Sequence, residues 1–364
     1  MPDFMIVGRN GRVRAFIDPR GASLRRLVVR GQDLVETYPV GQAAPGAAGA
    51  TLFPWPNRVR DGRWSGGGLE HQLPVDEPER RTALHGLVWR RSFDRLDPSP
   101  GRSDSDRGGR SPGRRWDHGD GSRPRPGRRQ RDDRLVLGVR LDRPPGYPFT
   151  VALSLTYQVI ADGLAVGAET VNLGTEPAPV ALGFHPYLRL GRLTADQLTL
   201  DVSADLALDF DDRLLPVGQH AVAESGPDPA GLPLAGTSLN HCFGGLRPER
   251  GRFRHRLLGP DQDGLELSAD LAFRWVQVYT WPDFPRSGQP VPAVAVEPMT
   301  APPDALNSGR DLVWLAPGKR WRAGWSLRRL PRRRAGPDHG RMCPTTESAL
   351  AGESRSEPGT DPQR

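Results

Sequence analysis

The stretch FTVALSLTYQVI at residues 149–160 is the clearest structural signal in the sequence, because its large apolar residues recur at every second position. Such alternation places them on one face of a β-strand and the polar residues on the other. The same period of two occurs at 135–141, 164–168, 198–202 and 273–279, whereas no stretch keeps a helical period for more than three turns. The sequence therefore predicts an all-β protein of stacked, antiparallel sheets.

The composition is that of one large globular domain. The chain has 364 residues, of which 36% are hydrophobic, and no apolar run approaches the roughly 18 residues of a membrane span. The N-terminus lacks the basic-then-apolar pattern of a signal peptide. We therefore expect a soluble, cytoplasmic protein with no membrane partner, and favour a monomer. Two cysteines are too few for a disulfide framework, and Cys242 is expected to be a buried free thiol.

The net charge of +7 lies mainly in two segments without hydrophobic periodicity. Residues 97–134 hold 11 Arg and 7 Asp, and residues 331–364 hold 6 Arg and 5 acidic residues. We predict a β-domain over residues 1–330 with a disordered insertion at 97–133, followed by a disordered tail at 331–364. A stretch read in a shifted frame is the alternative for the insertion. The remaining body is nearly neutral, which argues against nucleic acid as a partner.

One histidine stands where a strand-like segment meets a proline, in GFHPYL at 183–188. Proline fixes φ and lacks an amide, so we expect the strand to end there with His185 at its rim. An imidazole donates and recovers a proton near neutral pH, which makes His185 a candidate general acid. A half-buried structural histidine is the alternative.

A glutamate occupies the matching position in PAVAVEPMT at 292–300. Alternation puts Ala293, Ala295 and Glu297 on one face, so the carboxylate stands above two small side chains that leave room for a ligand. Partial burial raises the pKa of a carboxyl group and makes it a better base near neutral pH. An exposed charge at a strand end is the alternative.

Two further segments have the character of binding loops. In LFPWPNRVRDGR at 52–63, prolines on both sides of Trp55 forbid a helix and hold Asn57 and Arg58 in a defined turn. Core packing is the favoured role of Trp55, ahead of a platform for a sugar. In TALHGLV at 82–88, the glycine after His85 allows close approach of backbone and ligand. Residues 41–50, rich in Gly and Ala, are expected to form a mobile loop.

Together these motifs resemble those of the aldose 1-epimerases, or galactose mutarotases. The resemblance is carried by PWPNR (54–58), LHG (84–86), GFHPY (183–187) and VEPMT (296–300), in the family's order. It implies a large antiparallel β-supersandwich with the active site in an open cleft. It also implies a small sugar as substrate and neither cofactor nor metal.

The same resemblance implies residue roles. Glu297 matches the general base and His185 the general acid, while His85 and Arg58 match groups that position substrate and stabilise charge. Further candidate substrate-binding residues are Asn57, Tyr187 and Asn240. The base removes the C1 hydroxyl proton and the acid protonates the ring oxygen; the opened sugar rotates about C1–C2 and recloses. Asn240 stands where the family usually has an Asp that binds sugar hydroxyls, and an amide still forms such hydrogen bonds.

Three other functions are compatible with the residues. Two histidines and a glutamate can bind zinc, although no local metal motif supports this. A non-catalytic carbohydrate-binding protein would use the same fold and binding residues. Arginines 58, 60 and 63 would suit an epimerase for an anionic hexose, phosphorylated or sulfonated.

Overall fold

The computed structural model describes residues 2–96, 133–261 and 263–330. The predicted insertion, apart from Asp133, and the predicted tail lie outside the described residues. In chain order the strands are β1 (Phe4–Val7), β2 (Val13–Asp18), β3 (Ser23–Val29), β4 (Gln32–Asp33), β5 (Thr51–Leu52), β6 (Arg58–Arg60), β7 (Arg63–Gly66), β8 (Leu69–Gln72), β9 (Thr82–Leu84), β10 (Asp94–Arg95), β11 (Arg134–Asp142), β12 (Thr150–Ile160), β13 (Gly163–Asn172) and β14 (Ala178–Val180). They continue as β15 (Gly183–Phe184), β16 (Tyr187–Leu188), β17 (Thr199–Val202), β18 (Leu206–Phe210), β19 (Pro216–Ala221), β20 (Leu232–Pro233), β21 (Asn240–Gly244), β22 (Phe253–Leu258), β23 (Gly264–Ala269), β24 (Trp275–Arg286), β25 (Gln289–Met299), β26 (Val313–Leu315) and β27 (Arg320–Leu330).

Helical structure in the described ranges is limited to α1 (Ala305–Ser308) and the 3₁₀ turns Pro45–Ala47 and Ala195–Gln197. None of it is long or apolar enough to cross a membrane.

Two large sheets dominate the structure. One has nine strands in the order β10-β11-β12-β13-β27-β23-β22-β17-β20, and the other has the order β19-β18-β21-β24-β25-β15-β5, with β16 also paired to β25. A smaller sheet has four strands in the order β1-β2-β3-β4. The ladders that build the sheets, such as β11–β12, β12–β13 and β24–β25, are antiparallel. The prediction of an all-β protein of stacked antiparallel sheets is confirmed.

The core lies between the two large sheets. Leu153 and Leu155 of β12, the strand quoted first, belong to the same buried apolar cluster as Val294 and Val296 of β25. Full burial of each such side chain contributes roughly 1.5–3 kcal/mol. The period of two thus commits one face of β25 to the core, which leaves the alternate residues to face the other way.

That other face of β25 carries functional side chains. Ala293 and Ala295 belong to a separate cluster, and Glu297 follows on the same side. Across the ladder, Gln277 of β24 pairs with Glu297 and Tyr279 with Ala295. The alternation expected from the sequence therefore holds, and it builds one face that is lined by small and polar residues.

One of the two proline-based strand ends was predicted wrongly: β15 does end at Phe184, directly before His185, but β25 does not end at Glu297. β25 continues through Pro298 to Met299, and β16 begins directly after Pro186. A proline lacks only its N–H, and the carbonyl of Pro186 still accepts a hydrogen bond of 3.2 Å from the backbone N–H of Val296. His185 consequently lies between two short strands that both pair with β25, inside the sheet rather than at its rim.

Candidate active site

A cavity of about 350 Å³ lies over the polar face of β24 and β25. Its lining combines small apolar residues from the loop at 44–47 with polar side chains from several strands. The polar and aromatic lining residues are Asn57, Arg58, Glu77, Arg80, His85, Trp89, His185, Tyr187, Asn240, Gln277, Tyr279 and Glu297. The seven residues to which the family resemblance assigned catalytic or substrate-binding roles all line this one cavity.

His185 and Glu297 meet on the cavity wall. The Nε2 atom of His185 lies 3.3 Å from Oε1 of Glu297, and the two residues are only 5% and 2% exposed. The remaining polar atoms of the pair, Nδ1 of His185 and Oε2 of Glu297, are buried with no hydrogen-bond partner among the described residues. An unpaired buried polar atom is costly, so both are groups that a ligand can satisfy.

Burial sets the protonation state of this pair. It raises the pKa of Glu297 well above its usual value, against a smaller lowering by Arg58. It lowers the pKa of His185 to about 4. Exclusion of water disfavours the charged form of each group. Both shifts favour the uncharged forms, a neutral imidazole and a protonated carboxyl group.

His85 packs edge-on against His185, with ring centroids 5.3 Å apart. Its backbone has a φ of +63°, and its N–H donates to the carbonyl of Asn57 at 2.8 Å. The following Gly86 is required, because a Cβ there would lie 2.2 Å from the carbonyl oxygen of Phe53. Burial, and secondarily the neighbouring His185, lowers the pKa of His85 well below its usual value. His85 is thus a neutral imidazole, fit to donate or accept a hydrogen bond.

Arg58 is held by a carboxylate that the sequence analysis did not identify. Its Nε and Nη2 atoms each donate to Glu77 at 2.7 Å, and Thr82 donates to the same carboxylate at 2.5 Å. Burial alone would raise the pKa of Glu77, but the hydrogen bonds from Arg58 and Thr82 hold that pKa below its usual value. A bidentate pair of this kind fixes the guanidinium plane and cancels its charge.

Three side-chain amides form a chain beneath the cavity. Asn57 donates from Nδ2 to Oε1 of Gln277 at 3.4 Å, and Gln277 donates from Nε2 to Oδ1 of Asn240 at 2.8 Å. At the other end, the backbone N–H of Arg58 donates to Oδ1 of Asn57 at 2.9 Å. Asn57, with a φ of +56°, and Gln277 are nearly fully buried. These hydrogen bonds link the start of β6, at Arg58, to β24 and β21.

Tyr187 stacks on His185, with ring centroids 5.2 Å apart and planes at 29°. Its buried hydroxyl has no hydrogen-bond partner in the part of the chain that the structure describes, and burial raises the pKa of Tyr187 well above its usual value, so the hydroxyl remains a donor. A Cβ on Gly46 would come within 2.9 Å of that hydroxyl. In the loop at 41–50, Ala47, Ala48 and Ala50 are buried because their small side chains pack tightly beside the cavity, whereas residues 41–43 are exposed. The mobility of this loop stays a prediction.

Several other predicted residues lie away from the cavity. Arg60 forms ion pairs with Asp304 and Asp211, and Arg63 is exposed and donates to Gln72, so neither lines the site. Trp55 is 1% exposed and belongs to the core, and Cys242 is a buried free thiol, as expected for both. Within the described ranges, no group of three His, Cys, Asp or Glu side chains is arranged to hold a metal ion.

The lining residues that sequence reasoning missed fall into two kinds. Gln277 and Tyr279 alternate with the core residues Val276 and Val278, so the period of two in 273–279 already placed them on the face of Glu297. Glu77, Arg80 and Trp89 come from loops, where no periodicity signals which way a side chain points.

Comparisons with known proteins agree with this architecture. A family model described as aldose 1-epimerase matches residues 5–328. The uncharacterized protein YihR of Escherichia coli K12 is 30% identical over 316 residues, which cover 85% of this chain and 88% of YihR.

Two solved structures share the fold. The GalM/aldose epimerase homologue from C. elegans superimposes with a TM-score of 0.70 at 18% identity, covering 90% of this chain and 99% of the other. Galactose 1-epimerase from Lactobacillus acidophilus superimposes with a TM-score of 0.67 at 16% identity, covering 90% and 94%. The expected galactose mutarotase-like β-supersandwich is thereby confirmed. With the family model matching nearly from end to end, the chain belongs to the aldose 1-epimerase family.

Proposed function

We propose that this protein is an aldose 1-epimerase that interconverts the α and β anomers of a free hexose. The observation that carries the proposal is the buried pair His185 and Glu297, 3.3 Å apart on the wall of a cavity of about 350 Å³. That volume lies in the range of about 300–1,000 Å³ typical of small-molecule sites. The family membership supports the same reaction class.

The reaction requires an acid and a base that act on two oxygens of the same carbon. The C1 hydroxyl loses a proton and the ring oxygen gains one as the C1–O5 bond breaks, which gives the open-chain aldehyde. Rotation about C1–C2 and the reverse transfers close the ring on the other face. Because O1 and O5 are both bonded to C1, the two catalytic groups must converge, as His185 and Glu297 do.

To act as one acid and one base, His185 and Glu297 must hold one proton between them, and either side chain is able to carry it. Burial favours that proton on Glu297. For Glu297 to act as base and His185 as acid, the proton passes to His185 as the sugar binds. The two groups are close enough for this transfer, and catalytic contacts that are long in an empty site commonly tighten on binding. The roles exchange on reclosure.

The surrounding residues orient the sugar. His85 offers a buried ring nitrogen and Tyr187 a buried hydroxyl, neither with a hydrogen-bond partner within the described ranges, and Arg58 is held rigidly by Glu77. Because its charge is already neutralised, Arg58 serves as a fixed donor to an uncharged hydroxyl or to the developing charge on oxygen.

An epimerase for an anionic hexose is the second candidate. Arg80 lines the cavity, its Nη1 lies 3.6 Å from the carboxylate that Arg58 already occupies, and its buried Nε has no partner among the described residues. Within the described part of the chain, Arg80 makes only long ion-pair contacts, to Glu77 and, at 3.9 Å, to the exposed Glu79, so its guanidinium is available to a phosphate or sulfonate.

Polarimetry separates the candidates. Freshly dissolved α-D-glucose, α-D-galactose and α-D-glucose 6-phosphate are followed with and without enzyme, and equilibrium binding of each is measured by calorimetry. Faster mutarotation of a neutral hexose supports the proposal, and a preference for the phosphate supports the second candidate. Binding without any rate above the buffer blank would identify a non-catalytic sugar-binding protein.

A further inference from the structure

The chain of three amides has a direction, and that direction is fixed at one end. The backbone N–H of Arg58 is only a donor, so the atom of Asn57 that it contacts at 2.9 Å must be the oxygen. Nη1 of Arg58, also only a donor, lies 3.4 Å from the same oxygen. The amide nitrogen of Asn57 therefore points to Gln277, and its partner there must be an acceptor.

The same logic passes along the chain to the cavity. Gln277 accepts from Asn57 through Oε1 and so turns its Nε2 toward Asn240, at 2.8 Å from Oδ1. Reversing Gln277 would set two buried donors against each other, and this residue is only 3% exposed. With its oxygen engaged, Asn240 presents Nδ2, which has no acceptor among the described residues, to the cavity that it lines.

We propose that Asn240 is a specificity-determining residue that recognises a sugar hydroxyl as a hydrogen-bond acceptor, with Gln277 as the residue that positions it. This inference rests on the proposed function for the identity of the ligand as a hexose. A carboxylate at position 240 would accept from Gln277 equally well, but it would offer the sugar an acceptor instead of a donor. The amide thus reverses the polarity of one sugar contact without any change in shape.

Deoxy and deoxyfluoro sugars test this polarity directly, because fluorine accepts a hydrogen bond weakly but never donates one. The probes are glucose and galactose with hydrogen or fluorine in place of one hydroxyl, at C2, C3, C4 or C6 in turn. When the substituted sugar carbon is the one whose hydroxyl contacts Asn240, the wild type should bind the fluoro sugar far better than the deoxy sugar. The deoxy sugar should bind roughly tenfold more weakly than the parent hexose.

The variant Asn240→Asp should erase this contrast, so that the fluoro sugar binds as weakly as the deoxy sugar. The ratio of the dissociation constants of the fluoro and deoxy sugars is compared between the wild type and Asn240→Asp, because this comparison cancels the intrinsic effect of fluorine on the sugar. The variant Gln277→Met should reduce the difference in affinity between the fluoro and the deoxy sugar, although Asn240 itself is unchanged. If Gln277 only supported the fold, its replacement would leave this difference unaltered. Thermal unfolding reports whether either variant is folded.

Dissociation constants from calorimetry and rates from polarimetry are read separately. A fluoro-to-deoxy contrast in binding that Asn240→Asp removes supports the inference, even if no sugar turns over and the proposed function fails. Catalysed mutarotation without such a contrast at any position, or with an equal contrast in Asn240→Asp, overturns the inference and leaves the proposed function intact. Failure of the wild type to bind any of these sugars overturns both.

Discussion

Replacing Glu77 with glutamine tests how strongly the Arg58 guanidinium depends on its carboxylate. The pair is bidentate, with both contacts at 2.7 Å, and the side chains of Arg58 and Glu77 are 13% and 9% exposed. Glu77→Gln keeps the shape and one acceptor oxygen but removes the charge. The guanidinium is then left buried without a counter-ion.

The expected cost follows from that burial. Removing one partner of a buried ion pair typically costs 3–5 kcal/mol, and the retained oxygen places this case at the lower end, at about 3 kcal/mol. For a domain of this size the melting temperature should fall by roughly 4 °C. Sugar affinity and turnover should fall as well, because a freed Arg58 no longer holds one position beside the sugar, so KM should rise and kcat should fall.

The control for this experiment lies two residues along the same loop. Glu79 is 63% exposed and its nearest ion-pair contact, to Arg80, is 3.9 Å long, so Glu79→Gln should cost less than about 0.5 kcal/mol. Urea unfolding, thermal melting and mutarotation kinetics are measured for both variants. Equal stability losses for Glu77→Gln and Glu79→Gln, or an unchanged KM for Glu77→Gln, would refute the reasoning.

Three further predictions concern the proton pair, a second buried histidine and the turn after His85. The value of kcat/KM should decline below about pH 4, where protonation of His185 gives the pair a second proton. It should decline again only above the raised pKa of Glu297. An inflection near pH 6.5, the ordinary pKa of histidine, would count against the burial of the pair. His255 is buried, neither of its ring nitrogens has a hydrogen-bond partner among the described residues, and burial lowers its pKa to about 4. The folded state therefore binds fewer protons than the unfolded state, and its stability falls by about 3 kcal/mol as the pH falls from about 6.5 to 4. His255→Leu should abolish that part of the acid sensitivity in urea titrations at neutral and acidic pH, and an unaltered pH dependence would contradict it. Gly86→Ala should lower the melting temperature and raise KM, because the new Cβ would lie 2.2 Å from the carbonyl oxygen of Phe53. Gly67→Ala is the control for backbone strain alone, since Gly67 also has a positive φ but has open space around it. Equal losses of melting temperature in the two variants would show that the collision is unimportant.

The fold was predictable because period-two alternation is a local property of a strand. The pattern in 149–160 identified β12, and alternation in 292–297 separated Val294 and Val296 from the face of Glu297. Strand ends were harder to predict, because β25 and β16 are held by neighbouring strands that compensate for one missing proline amide. That compensation is tertiary, and no local pattern reports it.

The candidate site shows the same division between local and tertiary information. Short motifs around Asn57, His85 and His185 indicated residues that do share one cavity. The partners that orient them could not be found in this way, since Glu77 comes from a loop, and the polarity of Asn240 follows from a hydrogen-bond chain across three segments.

The most direct test of the account is the mutarotation rate of Glu297→Gln and His185→Asn, measured beside two matched controls. Glu266→Gln and His255→Asn change equally buried residues of the nine-stranded sheet that do not line the cavity. We predict that each site variant lowers kcat by roughly 10²–10⁴ while the folded controls keep wild-type rates. Site variants that are folded and turn over hexoses as fast as the wild type would contradict the claim that this carboxylate and imidazole move the proton.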